Sequence, residues 1–218
     1  MSDDRKVFSY PGKKLDVAWD GRLCIHVGEC TRASGELFVG GRNPWCQPDL
    51  AENEEVAEVV ARCPTGALSI TRHDGGDVVA PVDLNTIVVS NNGPLYARGA
   101  LDIDGAASDM PGVRSRAALC RCGKSDNKPF CDNSHEGADF RDRGAIGESG
   151  PGSETEGGRL SVNTAPNGPL LISGDLTLFT GSGREAWRGS KTALCRCGES
   201  KDKPFCDGSH RAAGFEAD

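Results

Sequence analysis

Large apolar side chains are scarce in this chain. Apolar residues, cysteine included, reach only 37%, whereas glycine alone contributes 29 of the 218 positions. That composition excludes one large oily core and favours small units held together by a staple, a disulfide or a metal. No run of the roughly eighteen apolar residues that a membrane-spanning helix needs occurs anywhere. The opening "MSDDRKVFSYPGKKLDVAWDG" also lacks an apolar stretch of signal-peptide length. Basic residues are outnumbered, 25 Lys plus Arg against 32 Asp plus Glu, giving a net charge of −7. An acidic balance of this kind disfavours nucleic acid as a partner. Missing too are a Ser/His/Asp order, a nucleotide-binding glycine loop and an open metal site with a general base. The expectation is a cytoplasmic protein, not an enzyme, with no membrane and no nucleic-acid partner.

What the chain does have is ten cysteines. In a reducing compartment, clustered cysteines are metal ligands before they are disulfides. Cys-x-Cys neighbours are in any case poorly placed to bridge each other. Two stretches stand out, "CRCGKSDNKPFCDNSH" at Cys120–His135 and "CRCGESKDKPFCDGSH" at Cys195–His210. They superimpose at an offset of 75 without a gap, and 16 of 25 positions match between 116–140 and 191–215. The same offset lays "NGPL" at Asn92–Leu95 on "NGPL" at Asn167–Leu170, Gly99 on Gly174 and Leu101 on Leu176. The duplicated object is therefore a small domain of about fifty residues, not a ligand loop.

Each copy opens with β-rich, partly alternating sequence, "PLYARGALDID" and "PLLISGDLTLF", bounded by Asn-Gly-Pro turn signals. "TIVVS" at Thr86–Ser90 is one more strand candidate. "RGAIGESGPGSETEGG" (143–158) reads as a solvated linker. The first eighty or so residues do not match the repeat. There "VFSY", "LDVAW" and "ALSITR" read as strands, and Val56, Val59, Val60 and Cys63 recur at helical spacing until Pro64 ends the helix. The expected fold class is α+β, with a small N-terminal unit at 1–78, a first repeat at 79–145, a linker at 146–158 and a second repeat at 159–218.

The repeated pattern is Cys-x-Cys-x8-Cys-x3-His: Cys120, Cys122, Cys131 and His135, then Cys195, Cys197, Cys206 and His210. Two species satisfy it. One tetrahedral zinc would take all four ligands. A two-iron, two-sulfide cluster would take Cys120 and Cys122 on one iron, with Cys131 and His135 on the other. The one-residue gap differs from the two-residue knuckles usual in structural zinc sites. Phe130 and Phe205 supply apolar cover, Asp132 and Asp207 read as helix N-caps, and Gly208 occupies a position expected to need positive φ. Asn133, its counterpart, is the side-chain-bearing residue that best tolerates that conformation. Arg121, Arg196, Lys128 and Lys203 lie beside ligands and are candidates to bond cluster sulfurs.

"CDGSH" at Cys206–His210, preceded by "ALCRCG", resembles the CDGSH iron–sulfur domain family, to which mitoNEET belongs. The resemblance implies a [2Fe-2S] cluster in each Cys3His set, two in all. It also implies that the two repeats form an intramolecular pseudo-dimer, so that the chain itself is a monomer. A neutral histidine ligand can be protonated near physiological pH and raises the potential relative to an all-thiolate centre.

The N-terminal cysteines form a second constellation, "CIHVGEC" (Cys24–Cys30) with "RCPTGAL" around Cys63. On the bacterial Cys-x2-Cys-x2-Cys…Cys-Pro pattern, Cys24 and Cys30 take the first and third places, Cys63 the remote one, and Val27 stands where the second belongs. This segment resembles a divergent single-cluster, ferredoxin-like domain. Three thiolates suit a [3Fe-4S] centre, or a [4Fe-4S] centre with a fourth ligand such as Cys46 or His26. Three iron–sulfur centres point to electron transfer with redox partner proteins. Delivery of clusters to apo-acceptor proteins, sensing, and a zinc-stapled interaction module are the alternatives.

Overall fold

The computed structural model describes residues 7–76, 84–153 and 157–217; the expected boundary at 78/79 and part of the expected linker lie outside them. The N-terminal unit is a three-stranded antiparallel sheet, β1 (Val7–Tyr10), β2 (Leu15–Asp20) and β3 (Leu68–Arg72), with helix α1 (Asn53–Arg62) between β2 and β3 in the chain. Val56, Val59 and Val60 form the buried stripe of α1, as their spacing predicts. They pack on Leu15, Val17, Leu37, Phe38, Cys46 and Ile70, each valine contributing about 1.5–3 kcal/mol. The helix stops at Cys63, whose backbone is already extended ahead of Pro64.

The two repeats share one seven-stranded sheet. Its strands are β4 (Thr86–Val89), β5 (Leu95–Arg98), β6 (Ala100–Ile103), β7 (Arg116–Leu119), β8 (Arg159–Thr164), β9 (Leu170–Phe179) and β10 (Glu185–Leu194). At the offset of 75, β8 repeats β4, β9 repeats β5 and β6 together, and the end of β10 repeats β7. The pairings do not stay within a repeat. β4 runs parallel to the second half of β9, with Thr86 opposite Thr177 and Ile87 opposite Leu178. β8 runs parallel to β6, with Ser161 opposite Asp102 and Val162 opposite Ile103. These are the same register in both copies: each first strand stays paired antiparallel with the next strand of its own repeat and at its other edge is lent to the other repeat. One core follows, in which Ile87, Val89, Leu95 and Leu119 mix with Leu160, Leu170, Leu178 and Leu194.

Where β9 is continuous, the first copy breaks between β5 and β6 at Gly99. Asn85 stands against this glycine: it is buried, a side chain at Gly99 would lie 2.1 Å from its Oδ1, and that oxygen accepts the Ala100 amide at 3.0 Å. Its Nδ2 donates to the Asp175 carbonyl at 2.9 Å, tying the first repeat to the second. The expected linker is not solvated throughout. Ile146 is buried, the Arg188 amide donates to the Ser149 carbonyl, and the Gly152 amide donates back to the Arg188 carbonyl. The segment runs along β10, because its isolated isoleucine has a core to enter.

The N-terminal unit seats on the first repeat. Gly66 and Gly112 meet backbone to backbone so closely that a Cβ on Gly112 would lie 1.9 Å from the Gly66 carbonyl oxygen. Leu23 and Ala67 join the core of the repeats, and Asn127 Nδ2 donates to the Arg22 carbonyl at 2.7 Å. Among the described residues no helix is long and apolar enough to cross a membrane.

Candidate metal centres

Each repeat builds its ligand loop in the same way. The Cys120 amide donates to the Pro129 carbonyl at 2.8 Å, and the Cys131 amide to the Ala118 carbonyl at 2.8 Å. Their counterparts are Cys195 to Pro204 and Cys206 to Ala193, at 2.8 and 2.9 Å. The first two ligands thus leave the end of a strand, and the last two return beside it. Ser125 and Ser200 close the intervening loop by donating to the Phe130 and Phe205 carbonyls at 2.6 and 2.7 Å. Asp132 and Asp207 are not helix N-caps. Asn133 occupies that position before the short helix α2 (Ser134–Gly137), and each aspartate instead accepts two amides. Asp132 takes those of Asp126 and Ser134 at 2.8 and 3.0 Å, Asp207 those of Lys201 and Ser209 at 2.9 Å. The turn is left-handed in both copies, φ 75° at Asn133 and 87° at Gly208.

The eight sequence-predicted ligands come together as four pairs. Cys120 and Cys122 sulfurs lie 3.7 Å apart, those of Cys195 and Cys197 3.6 Å, and the Cys131 and Cys206 sulfurs 3.4 Å from Nδ1 of His135 and His210. Two thiolates on one tetrahedral ion at metal–sulfur distances near 2.3 Å are about 3.8 Å apart. Each pair therefore fits one ion. Among the described residues, no three Cys, His, Asp or Glu side chains converge on one. Burial sets the protonation. It pushes the Cys131 and Cys197 thiols up to about 12 and about 11. Within the first pair a shared hydrogen bond brings Cys120 down to about 6 and drives Cys122 up.

Arg121 and Arg196, expected beside the sulfurs, turn away and clamp the backbone. Arg121 is 2% exposed; its Nε donates to the Gly93 carbonyl at 2.7 Å, Nη2 to the Ser90 carbonyl at 2.5 Å and Nη1 to Asp142. Arg196 repeats this toward Gly168 and Ala165 at 2.8 and 2.7 Å. Phe140 and Phe215 stack under the two guanidinium groups, 5.0 and 5.5 Å from ring centre to carbon. Lys128 and Lys203 donate to the Ser125 and Ser200 carbonyls. All four cations hold loops in place.

The two ligand loops touch. A Cβ on Gly123 would lie 2.4 Å from the Cys197 carbonyl oxygen, and one on Gly198 2.7 Å from that of Cys122. The sites differ in cover. Cys131 and His135 are buried, with Ile25 of the N-terminal unit packed on Cys131 and Ala118 and with Tyr96 alongside. Cys206 and His210 are half-buried on a surface cavity of about 750 Å³ lined by Pro166, Leu171 and Phe215.

Cys24, Cys30 and Cys63 line a separate, mostly apolar cavity of about 520 Å³, together with Trp19, Trp45, Ile25 and His26. Burial and the neighbouring Cys63 and Cys24 raise the Cys30 thiol. His26 holds a left-handed backbone, φ 56°, and the other three histidines each have a hydrogen-bond partner while it has none among the described residues. Val27 is 43% exposed. Cys46 does not line the cavity. It is 1% exposed beside Phe38 and Trp45, and burial pushes its thiol to about 12. One buried group here was not legible as functional: Arg116, whose Nε has no partner. Its guanidinium is enclosed and reaches the Leu68 carbonyl, on the strand that follows Cys63, which fits an anionic thiolate-bound group on the Cys63 side.

Three sets of clustered soft ligands on so small a core define an iron–sulfur protein. Residues 10–73 match the family described as a divergent 4Fe-4S mono-cluster, and residues 92–136 and 167–211 each match the iron-binding CDGSH zinc-finger type. The uncharacterized protein YjdI of Escherichia coli K12, and that of strain O157:H7, are 42% identical over 59 residues, 27% of this chain and 78% of theirs. No solved structure matches. The chain therefore carries a divergent 4Fe-4S mono-cluster domain ahead of two units of the iron-binding CDGSH type.

Proposed function

We propose that this chain is an electron carrier with two [2Fe-2S] centres, one in each Cys3His set, and a third centre held by Cys24, Cys30 and Cys63. The observation that carries this reading is the division of each ligand set into two pairs. A single zinc needs all four ligands in one shell, whereas two irons need two and two. Bound there, the clusters would accept and release single electrons. The protein's part is to hold the ligands at fixed distance, exclude water from the first site and leave the second facing solvent. Exchange of β4 and β8 supports an intramolecular pseudo-dimer, in which neither repeat is complete without the other. No ligand position is left over for a substrate, so the role is that of a carrier between protein partners and not an enzyme.

For the third centre the choice lies between [3Fe-4S] on three thiolates and [4Fe-4S] with a fourth ligand. His26 lines the cavity and Cys46 does not, so a four-iron centre would take His26. A second reading, delivery of a cluster to an apo-acceptor, is favoured at one place, the half-buried Cys206–His210 rim.

Electron paramagnetic resonance of oxidised and reduced protein, with iron, sulfide and zinc analysis, tests the proposal. The expected result is two reduced [2Fe-2S] signals and one distinct third signal. Colourless protein carrying zinc in both Cys3His sets would refute it. Cluster loss from the second site to an apo-acceptor, faster than electron exchange with a reductase, would decide for delivery.

A further inference from the structure

We propose that Arg116, a residue of the first CDGSH unit, is the counter-charge of the N-terminal centre and raises its reduction potential. This rests on the reading that Cys24, Cys30 and Cys63 hold a cluster. Arg116 opens β7 and is 4% exposed. Its only hydrogen bond among the described residues runs from Nη2 to the Leu68 carbonyl at 3.0 Å, and its Nε is buried without a partner. Among the described residues no carboxylate pairs with it. Directly opposite on β5 stands Arg98, a second positive charge. A buried guanidinium in such a setting is costly unless a negative charge faces it.

The structure offers one. The Arg116 side chain crosses from the repeat to the strand that follows Cys63-Pro64-Thr65-Gly66; burial works against its charged form, Cys63 works for it, and Arg98 works against it, so that without a bound anion the charge is disfavoured. Its backbone is engaged there as well, since a Cβ on Gly66 would lie 2.4 Å from the Arg116 carbonyl oxygen. The duplication supplies an internal control. At the offset of 75 the equivalent residue is Lys191, which is exposed. Position and strand are repeated; the burial arises only where the thiols are. Thiolate-held clusters carry net negative charge, and a nearby fixed cation favours the reduced form, so nearby charge is one of the protein's means of setting potential.

The test uses the full, cluster-loaded chain and a redox titration followed by electron paramagnetic resonance. Arg116→Gln keeps a donor for the Leu68 carbonyl but removes the charge; Arg116→Lys keeps the charge and changes the donor. Glutamine is expected to shift the third centre to more negative potential, by more than it shifts either [2Fe-2S] centre. Lysine is expected to leave that potential near the wild-type value, and Lys191→Gln to move none of the three. An unshifted third centre in Arg116→Gln, an equal shift in Arg116→Lys, or failure of both variants to fold would make the residue structural and overturn the proposal. Wild-type protein with no third signal overturns the underlying reading instead, and this inference with it.

Discussion

Gly123 and Gly198 face each other's ligand loops, and replacing either one with alanine should disturb both sites at once. Gly123 has φ 80°, a conformation that costs an L-residue roughly 1–2 kcal/mol. The new methyl would also lie 2.4 Å from the Cys197 carbonyl oxygen. That neighbour is backbone and cannot rotate aside, so the loops must separate at about 1–3 kcal/mol, the usual cost of overpacking. The expected loss is about 2–5 kcal/mol, or roughly 5–15 °C in the midpoint of a chain this size. Cys197 belongs to the second site although Gly123 follows a ligand of the first, so iron should be lost more readily from both. Thermal unfolding of loaded protein, monitored by visible circular dichroism and iron release, measures this. Gly198→Ala should behave alike, its methyl meeting the Cys122 carbonyl oxygen at 2.7 Å. Gly137→Ala, with nothing within 4 Å, should be silent. A Gly123→Ala protein with the wild-type midpoint and full iron at both sites would refute the reasoning.

If the third centre holds four irons, His26→Ala should leave a three-iron signal, whereas Cys46→Ala should keep all the iron and lose about 1 kcal/mol of stability, as a core truncation. Replacing His135 and His210 with Cys should move acid-induced iron loss to lower pH. A neutral imidazole gains a proton and lets go as pH falls, while a thiolate holds on longer; iron retained after equilibration across pH 4–8 reads the change, which covers about that span of the histidine range. The wild-type second site should empty first, because His210 is half-exposed and His135 buried. A fragment spanning 79–145, deprived of β8, should form a homodimer by pairing β4 with the β6 of its copy; a monomer by analytical ultracentrifugation would contradict the strand exchange.

The ligands, the duplication and the local turns were legible in the sequence because each is set by neighbours a few residues away. The Asn133/Gly208 substitution foretold a left-handed turn, and Pro64 foretold the end of α1. The strand exchange was not legible: β4 has the same alternation whichever repeat it pairs with, and only long-range register decides. Arg121 and Arg196 misled for a related reason. A charge beside a ligand looks aimed at the metal until the carbonyls of Gly93, Ser90, Gly168 and Ala165, about thirty residues upstream, are seen to hold it. The glycine- and glutamate-rich stretch around Ile146 reads as solvated because one isoleucine cannot announce a docking groove. Arg116 was silent, since nothing local marks a buried arginine that faces another domain.

Gene duplication begins with twins, yet these two are no longer interchangeable. Ile25 packs over Cys131, whereas Cys206 and His210 line an open surface cavity. A protein arriving from bulk water can reach the rim at His210, but must go through folded chain to reach His135. Substitutions near the outer copy will be filtered by what docks there, and those near the inner copy by fit alone, so the two halves are free to drift apart in sequence while keeping the same eight ligands.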